Sequence, residues 1–100
     1  MLSSDVPTSA AGMNRMLLIV DDEANARTAL AELLRDEGYQ VDTAADGFKA
    51  LPKLDEFDPE LIVTDLKMPG MDGIGLLARL REKSPHTRVI LFTGFATIEA

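Results

Sequence analysis

The sequence contains no cysteine and no tryptophan, and only 5% of its residues are aromatic. Without cysteine the chain can form neither a disulfide framework nor a thiolate metal site, so nothing points to secretion and the reducing cytosol is the expected compartment. No apolar run reaches the roughly 18 residues that a membrane span requires. Basic residues are also few, because ten Lys and Arg stand against 17 Asp and Glu, for a formal net charge of −7. This balance disfavours binding to nucleic acid or to an anionic membrane, and it fits a cationic ligand better.

The composition that remains is typical of one small globular domain. Of its 100 residues 46% are apolar and 27% are charged, which is enough for a single core. Residues 1–15 mix Ser, Pro, Gly and Ala without periodicity and lack the basic start and apolar stretch of a signal peptide. We therefore predict a disordered leader over 1–15 and a folded domain over 16–100.

Four segments have the pattern of β-strands. Continuous apolar runs at 16–20, 61–64 and 89–92 are typical of strands buried on both faces. Segment 39–44 alternates instead, which favours a strand at the edge of the sheet.

Three segments between these strands are predicted to be helices, the first and the third from their helical periodicity. Their predicted inward positions include Leu30, Leu33 and Leu34 in the first helix and Ile74, Leu77 and Leu80 in the third. Gly38 is placed to end the first helix. Asp46 can cap the second, which Pro52 should shorten or kink because proline has no backbone N–H.

The alternation of strands and helices predicts an α/β fold, a doubly wound parallel sheet with helices on both faces. The three apolar strands belong in the middle and the alternating one at the edge, which gives the strand order 2-1-3-4. The sequence ends at Ala100, just as segment 95–100 begins to resemble a helix, and this leaves the apolar strand 89–92 as a bare edge. We therefore expect a fifth strand and a last helix to be missing, or supplied by a partner, and the exposed edge to favour dimerisation or strand exchange.

Three acidic residues stand where two central strands end. Asp21 and Asp22 follow the first strand, and Asp65 ends the third. Because parallel strands share one carboxyl rim and neighbouring strands lie roughly 4.8 Å apart, the three carboxylates should lie close together. Alone they would repel and raise at least one pKa. Hard oxygen ligands without His or Cys suit Mg²⁺, which commonly bridges to a phosphate.

The end of the fourth predicted strand places the hydroxyl of Thr93 at the same rim. Thr93 ends this strand, and Gly94 leaves room for an anion held over Asp65. A carboxylate nucleophile, a metal and a hydroxyl donor together favour phosphoryl transfer, in which an Asp can itself carry the phosphoryl group.

Each of these residues also has an ordinary interpretation when taken singly. Asp21 and Asp22 could cap the first helix, Asp65 could start a turn, and Thr93 could be a plain strand residue. Asp72 is interpreted as a cap or turn residue and His86 as a solvated loop residue. The functional interpretation is favoured because three separate strand ends place the needed groups on one rim.

The motifs "LLIVDDE", "DLKMPGMDG" and "LFTGFA", in this order, resemble the receiver domain of two-component response regulators, over residues 16–100. The resemblance implies a flavodoxin-like fold and a signalling module, not an enzyme, that takes a phosphoryl group from a sensor histidine kinase. It also implies Mg²⁺ or Mn²⁺ as cofactor and a conformational switch that controls an output domain, expected to be transcriptional. The implied site residues are Asp65 as phosphoacceptor, Asp22 and the Lys67 backbone carbonyl as metal ligands beside Asp65, Asp21 acting through water, and Thr93 with Gly94 at the phosphate. Pro69, Gly70 and Gly73 are predicted to shape the turn that frees the Lys67 carbonyl.

Two alternatives and two departures from the family pattern accompany this hypothesis. Family members carry a Lys, usually followed by Pro, at the end of a fifth strand and an aromatic switch residue shortly before it, and this sequence ends before both positions. A phosphate-independent interaction module is therefore one alternative. A phosphohydrolase with an aspartyl nucleophile is another, but such enzymes place a second Asp two residues later, where this sequence has Lys67. The end "TGFATIEA" is similar to receivers that precede ATPase domains activating a specialised sigma factor.

Overall fold

The predicted alternation of strands and helices is present in the computed structural model, which describes residues 16–68, 70–92 and 97–99. Within these ranges the elements are β1 Met16–Val20, α1 Ala24–Asp36, β2 Gln40–Ala44, α2 Gly47–Phe57, β3 Leu61–Asp65, α3 Gly73–Lys83, β4 Arg88–Phe92 and β5 Thr97–Glu99. The leader over 1–15 lies outside the described residues. No helix in the described ranges is long and apolar enough to cross a membrane.

The strands form one sheet in the order β2-β1-β3-β4-β5. The first four are parallel, with Val20 opposite Thr64 between β1 and β3, and Asp65 opposite Phe92 between β3 and β4. This confirms the predicted order 2-1-3-4. It also places the carboxyl ends of β1, β3 and β4 along one rim of the sheet.

The predicted bare edge at β4 is wrong over Ile90–Phe92. There β5 runs antiparallel to β4 and pairs Ile90 with Glu99 and Phe92 with Thr97. The helix predicted to begin in 95–100 is also wrong for residues 97–99. Thr and Ile favour strands, and pairing satisfies backbone groups of β4 that would otherwise have no partner. The edge on which the predicted dimer or strand exchange depended is therefore covered over this stretch, and by an antiparallel strand in place of the expected parallel one.

The larger core lies on the face of the sheet that α2 and α3 cover. Its buried members are Leu18, Val20, Ala44, Ala50, Leu54, Ile62, Met68, Leu76, Leu80, Val89 and Leu91. On the opposite face, Leu17 and Ile19 are buried and α1 contributes Ala31 as its one buried residue. The described part of the chain thus has one well-filled face and one that is more thinly covered.

Two predicted core positions instead face solvent. Leu33 is 59% exposed and Ile74 is 54% exposed. In α3 the buried residues are Gly73, Leu76 and Leu80, which share one helical stripe. Helical periodicity allowed both the predicted stripe, which contains Ile74, and the observed stripe, which contains Gly73. The close packing of Gly73 against β3 selects the observed one.

The helix boundaries mostly follow the predicted signals. Gly38 ends α1 with φ +99°, and the Asp46 side chain caps α2 by accepting a hydrogen bond from the Lys49 N–H at 2.8 Å. Pro52 lies in the middle of α2 and does not interrupt it, since the helix continues to Phe57 and has 11 residues in all. Pro52 is exposed, so water can bond the Phe48 carbonyl that it leaves without a helical partner.

Candidate acidic site at the carboxyl rim

The structure brings the three predicted carboxylates together. Asp21 and Asp22 directly follow β1, and Asp65 is the last residue of β3. Each offers one carboxylate oxygen, and these oxygens all lie within 4.8 Å of one another. Asp21 is 4% exposed, Asp65 is half-buried and Asp22 is open to solvent. We call these three residues the acidic cluster.

Asp21 is held through each of its polar groups. Its N–H donates to the Ala44 carbonyl at 3.1 Å, and its carboxylate accepts from the Glu23 N–H at 2.9 Å. Its carbonyl accepts from the Arg27 guanidinium at 2.7 Å. Asp22 differs, because its side chain makes no hydrogen bond within the described residues.

Helix α1 is capped by Glu23, whose carboxylate accepts from the Ala26 N–H at 2.7 Å. The interpretation of Asp21 and Asp22 as the caps of this helix is therefore wrong. Because capping falls to the next residue, the Asp22 carboxylate stays available to a ligand.

Burial raises the pKa of the Asp21 carboxyl above its ordinary value. The hydrogen bond from the Glu23 N–H opposes this shift, while the negative charges of Asp65, Asp22 and Glu23 add to it. The cluster is thus an arrangement of like charges that a bound cation would relieve. Three carboxylate oxygens without nitrogen or sulfur ligands suit a hard divalent cation such as Mg²⁺.

The turn after β3 places backbone atoms beside Asp65. The Lys67 N–H lies 3.3 Å from the Asp65 carboxylate, and Lys67 itself is exposed. Met68 is buried and anchors the turn in the core. Thr64 is fully buried next to Asp65, and its hydroxyl donates to the Asp65 carbonyl at 3.2 Å.

Two glycines in this turn meet physical constraints. Gly70 has φ +80°, a conformation that side chains rarely adopt, and it lies against the Phe48 ring. At Gly73 a Cβ would lie 2.7 Å from the Asp65 carbonyl oxygen and 2.9 Å from the Leu66 Cα. Helix α3 can therefore start this close to the acidic cluster only with glycine at that position.

The remaining predicted residues have different outcomes. Asp72 is the cap of α3 and accepts from the Gly75 N–H at 2.8 Å, which confirms its interpretation as a cap. His86 precedes β4 at the opposite rim, exposed and 3.8 Å from Asp58. Three predicted site residues, Pro69, Thr93 and Gly94, lie outside the described residues.

Two residues that hold the site were missed by sequence reasoning, namely Glu23 and Arg27. Both act on backbone atoms, Glu23 on the Ala26 N–H and Arg27 on the Asp21 carbonyl. A side chain that binds backbone leaves no complementary residue in the sequence, so no pairing signal could have found them.

Comparison with known proteins extends over nearly the whole chain. A family model for the response regulator receiver domain matches residues 17–100. Sporulation initiation phosphotransferase F of Bacillus subtilis is 40% identical over 87 residues, covering 87% of this chain and 70% of that protein. Curated transcriptional regulators that match are longer, and the chain covers 31% to 34% of the length of two of them.

Solved structures agree with these matches. The response regulator TrrA of Thermotoga maritima, in complex with Mg(2+)-BeF, superposes with a TM-score of 0.76 at 38% identity, covering 82% of this chain and 71% of that one. TrrA in complex with the histidine kinase ThkA gives a TM-score of 0.75 at the same identity and coverage.

Proposed function

The chain belongs to the response regulator receiver domain family, and from that premise we propose that Asp65 accepts a phosphoryl group from a histidine kinase. The observation that carries the proposal is the acidic cluster. Asp65 lies at the end of a strand, and one of its carboxylate oxygens lies within 4.8 Å of carboxylate oxygens of Asp21 and Asp22. The complex of the relative TrrA with a histidine kinase supports the choice of phosphodonor.

In the proposed transfer, an Asp65 carboxylate oxygen attacks the phosphorus of a phosphohistidine. The new P–O bond forms as the P–N bond breaks, and the electron pair of that bond returns to the imidazole nitrogen, which then takes up a proton. The product is an acyl phosphate on Asp65. A turnover enzyme is not expected, because the position two residues beyond Asp65, where an aspartyl phosphohydrolase has its acid, is Lys67.

We assign Asp22, Asp65 and the Lys67 carbonyl as ligands of Mg²⁺, or of Mn²⁺, with Asp21 acting through water. The bound cation supplies positive charge against the phosphoryl oxygens. The exposed Asp22 carboxylate and the raised pKa of Asp21 both support cation binding here. That TrrA was solved with Mg(2+)-BeF supports the choice of metal.

The output of the module is proposed to be a conformational switch. A phosphoryl group can shift a two-state equilibrium only if one state binds it better than the other. We assign that differential contact to the Thr93 hydroxyl, with Gly94 leaving room for the group. Because transcriptional regulators are among the relatives, the controlled partner is proposed to be an output domain of such a regulator.

Intact-mass measurement tests the proposal. The protein incubated with Mg²⁺ and acetyl phosphate should gain one phosphoryl group, and Asp65→Asn should gain none. Asp55→Asn is the matched control, because Asp55 is an exposed acid on α2 away from the cluster, and it should be labelled like the unmodified protein. Equal labelling of the Asp65→Asn variant would refute the assignment of Asp65.

A further inference from the structure

Arg27 makes a contact that the proposed transfer does not use. Its Nη1 donates to the Asp21 carbonyl oxygen at 2.7 Å, and the contact is partly buried. The bond spans six residues, from the end of the first turn of α1 back to the loop after β1. A guanidinium donor makes the bond charge-assisted, and such bonds are the stronger ones.

The carbonyl that Arg27 binds belongs to the peptide unit between Asp21 and Asp22. Because that unit is planar, fixing its oxygen also fixes the direction of the Asp22 N–H and the position of the Asp22 Cα. Asp21 is already fixed at its N–H by Ala44 and at its carboxylate by Glu23. The Asp22 side chain makes no hydrogen bond in the described ranges, so its direction depends on how its backbone is held.

We propose that Arg27 is a positioning residue for the cation site, which orients the Asp21–Asp22 peptide so that the Asp22 carboxylate faces Asp65. The inference rests on the proposed function, since it requires that the acidic cluster binds a divalent cation. Arg27 does not contact the cation itself in this proposal. It acts through the hydrogen bond that it donates to the Asp21 carbonyl, which holds the backbone of the proposed ligand Asp22. Loss of such an outer contact typically costs 10- to 100-fold in metal affinity.

The same helix offers a matched control for a purely structural role. Arg35, in the last turn of α1, donates to the Val41 carbonyl of β2 at 2.9 Å, again across six residues. Both arginines therefore fasten α1 to a backbone carbonyl of the sheet region, but only Arg27 does so at the acidic cluster. If the Arg27 contact served only to fasten the helix, the two residues should be equivalent.

Calorimetric titration with Mg²⁺ separates these roles. Arg27→Met removes the donor and should lower Mg²⁺ affinity about tenfold or more, whereas Arg35→Met should leave the affinity unchanged. Arg27→Gln keeps an N–H donor without the charge, and Arg27→Lys keeps both the charge and a donor, so each should recover part of the affinity. In amide NMR spectra without metal, Arg27→Met should shift the Asp22 N–H resonance and Arg35→Met should not.

Each result supports or overturns the inference. Equal Mg²⁺ affinity in Arg27→Met, Arg35→Met and the unmodified protein would overturn it, whatever the change in unfolding temperature. If Arg27→Met does not fold, Arg27→Ala, which also removes the donor, carries the test, and wild-type affinity in that variant together with an unmoved Asp22 resonance would overturn it. Asp22→Asn identifies failure of the proposed function itself, because wild-type affinity in that variant would mean that the cation does not bind at the acidic cluster.

Discussion

Two regions of the sheet hold a carboxylate at least partly out of solvent, in opposite electrostatic surroundings. At the acidic cluster, Asp21 meets two further acids and its pKa is raised. On the flank formed by β2 and α2, burial alone would raise the pKa of Asp42, but the Lys53 ammonium at 2.8 Å, the Thr43 N–H and the charge of Arg35 lower it overall. Burial acts in the same direction at both sites, and the partner decides the outcome. An acid that is paired within the protein stabilises the fold, and one left among like charges is available to an external cation.

The largest effect is expected from Gly73→Ala, which would break the acidic cluster through its backbone. The new Cβ would lie 2.7 Å from the Asp65 carbonyl oxygen, a fixed backbone atom, so either β3 or α3 must move. We expect a loss of about 2 kcal/mol in the free energy of unfolding, as for overpacked sites, and weaker Mg²⁺ binding. Urea unfolding and Mg²⁺ titration measure the two effects.

Gly75→Ala is the control for this substitution. Its Cβ would meet the flexible Met71 side chain at 3.1 Å, and alanine is the better helix former. This variant should be neutral or slightly more stable. A destabilisation equal to that of Gly73→Ala would show that the backbone contact at Asp65 is not the cause.

Lys53→Met removes the cation that pairs with Asp42, and this pairing is what distinguishes Asp42 from the acids of the acidic cluster. Both side chains of the Lys53–Asp42 pair are less than a third exposed, so the remaining carboxylate would be partly buried without its cation. We expect the free energy of unfolding at pH 7 to fall by about 1 kcal/mol, a value between those typical of surface ion pairs and of buried ion pairs. Chemical unfolding at pH 7 tests this.

The pH dependence of that loss has a defined sign. Because the folded-state pKa of Asp42 is lowered, its stabilising contribution is present above the ordinary value of 3.8 and is lost as pH falls through the folded-state pKa. The difference between the unmodified protein and Lys53→Met should therefore shrink below pH 3.8. A difference that stays constant into this acid range would contradict the pairing.

Asp21→Asn should have a smaller effect of opposite sign. Because the folded-state pKa of Asp21 is raised, stability falls as pH rises from 3.8 through the folded-state value, and the ionised cluster costs stability at pH 7. Asparagine keeps an oxygen for the Glu23 N–H and removes one negative charge. In metal-free buffer we expect a higher unfolding temperature at pH 7 and no gain below pH 3.8. Thermal unfolding at both pH values measures this, and a lower unfolding temperature at pH 7 would contradict it.

The smallest effect is expected from Asp55→Asn. Asp55 and Lys83 are 3.4 Å apart and largely exposed, so solvent screens their attraction. Its unfolding midpoint should match that of the unmodified protein within error, and a clear loss would mean that exposed pairs matter here as much as the flank does.

The sequence predicted the sheet order and the meeting of Asp21, Asp22 and Asp65 because both depend on strand burial. Continuous apolar runs identify central strands, and the carboxyl ends of central parallel strands must share a rim. Helix rotation was not predictable in the same way. Leu33 and Ile74 belong to plausible apolar stripes, and the choice between stripes depends on close contacts such as that of Gly73, which no periodicity contains.

The antiparallel β5 and the backbone contacts at the cluster were missed for related reasons. A stretch as short as Thr97–Glu99 has no measurable period, so the helical interpretation could not be separated from the strand. Glu23 and Arg27 bind main-chain atoms, which are the same at every position of the sequence. Local patterns therefore predicted elements and their order, while the contacts that aim the carboxylates depend on the assembled fold.

The pairing of β1 with β3 has a consequence for the unfolded chain. Asp22 follows β1 and Asp65 ends β3, and a whole strand and two helices separate them in the sequence, so a peptide containing either motif alone has only part of the proposed cation site. A cation that binds the folded protein and not the unfolded chain stabilises the former by mass action. Mg²⁺ concentration should then set how often the sheet opens between β1 and β3, so that slow hydrogen exchange in these two strands would report the cation available to the protein.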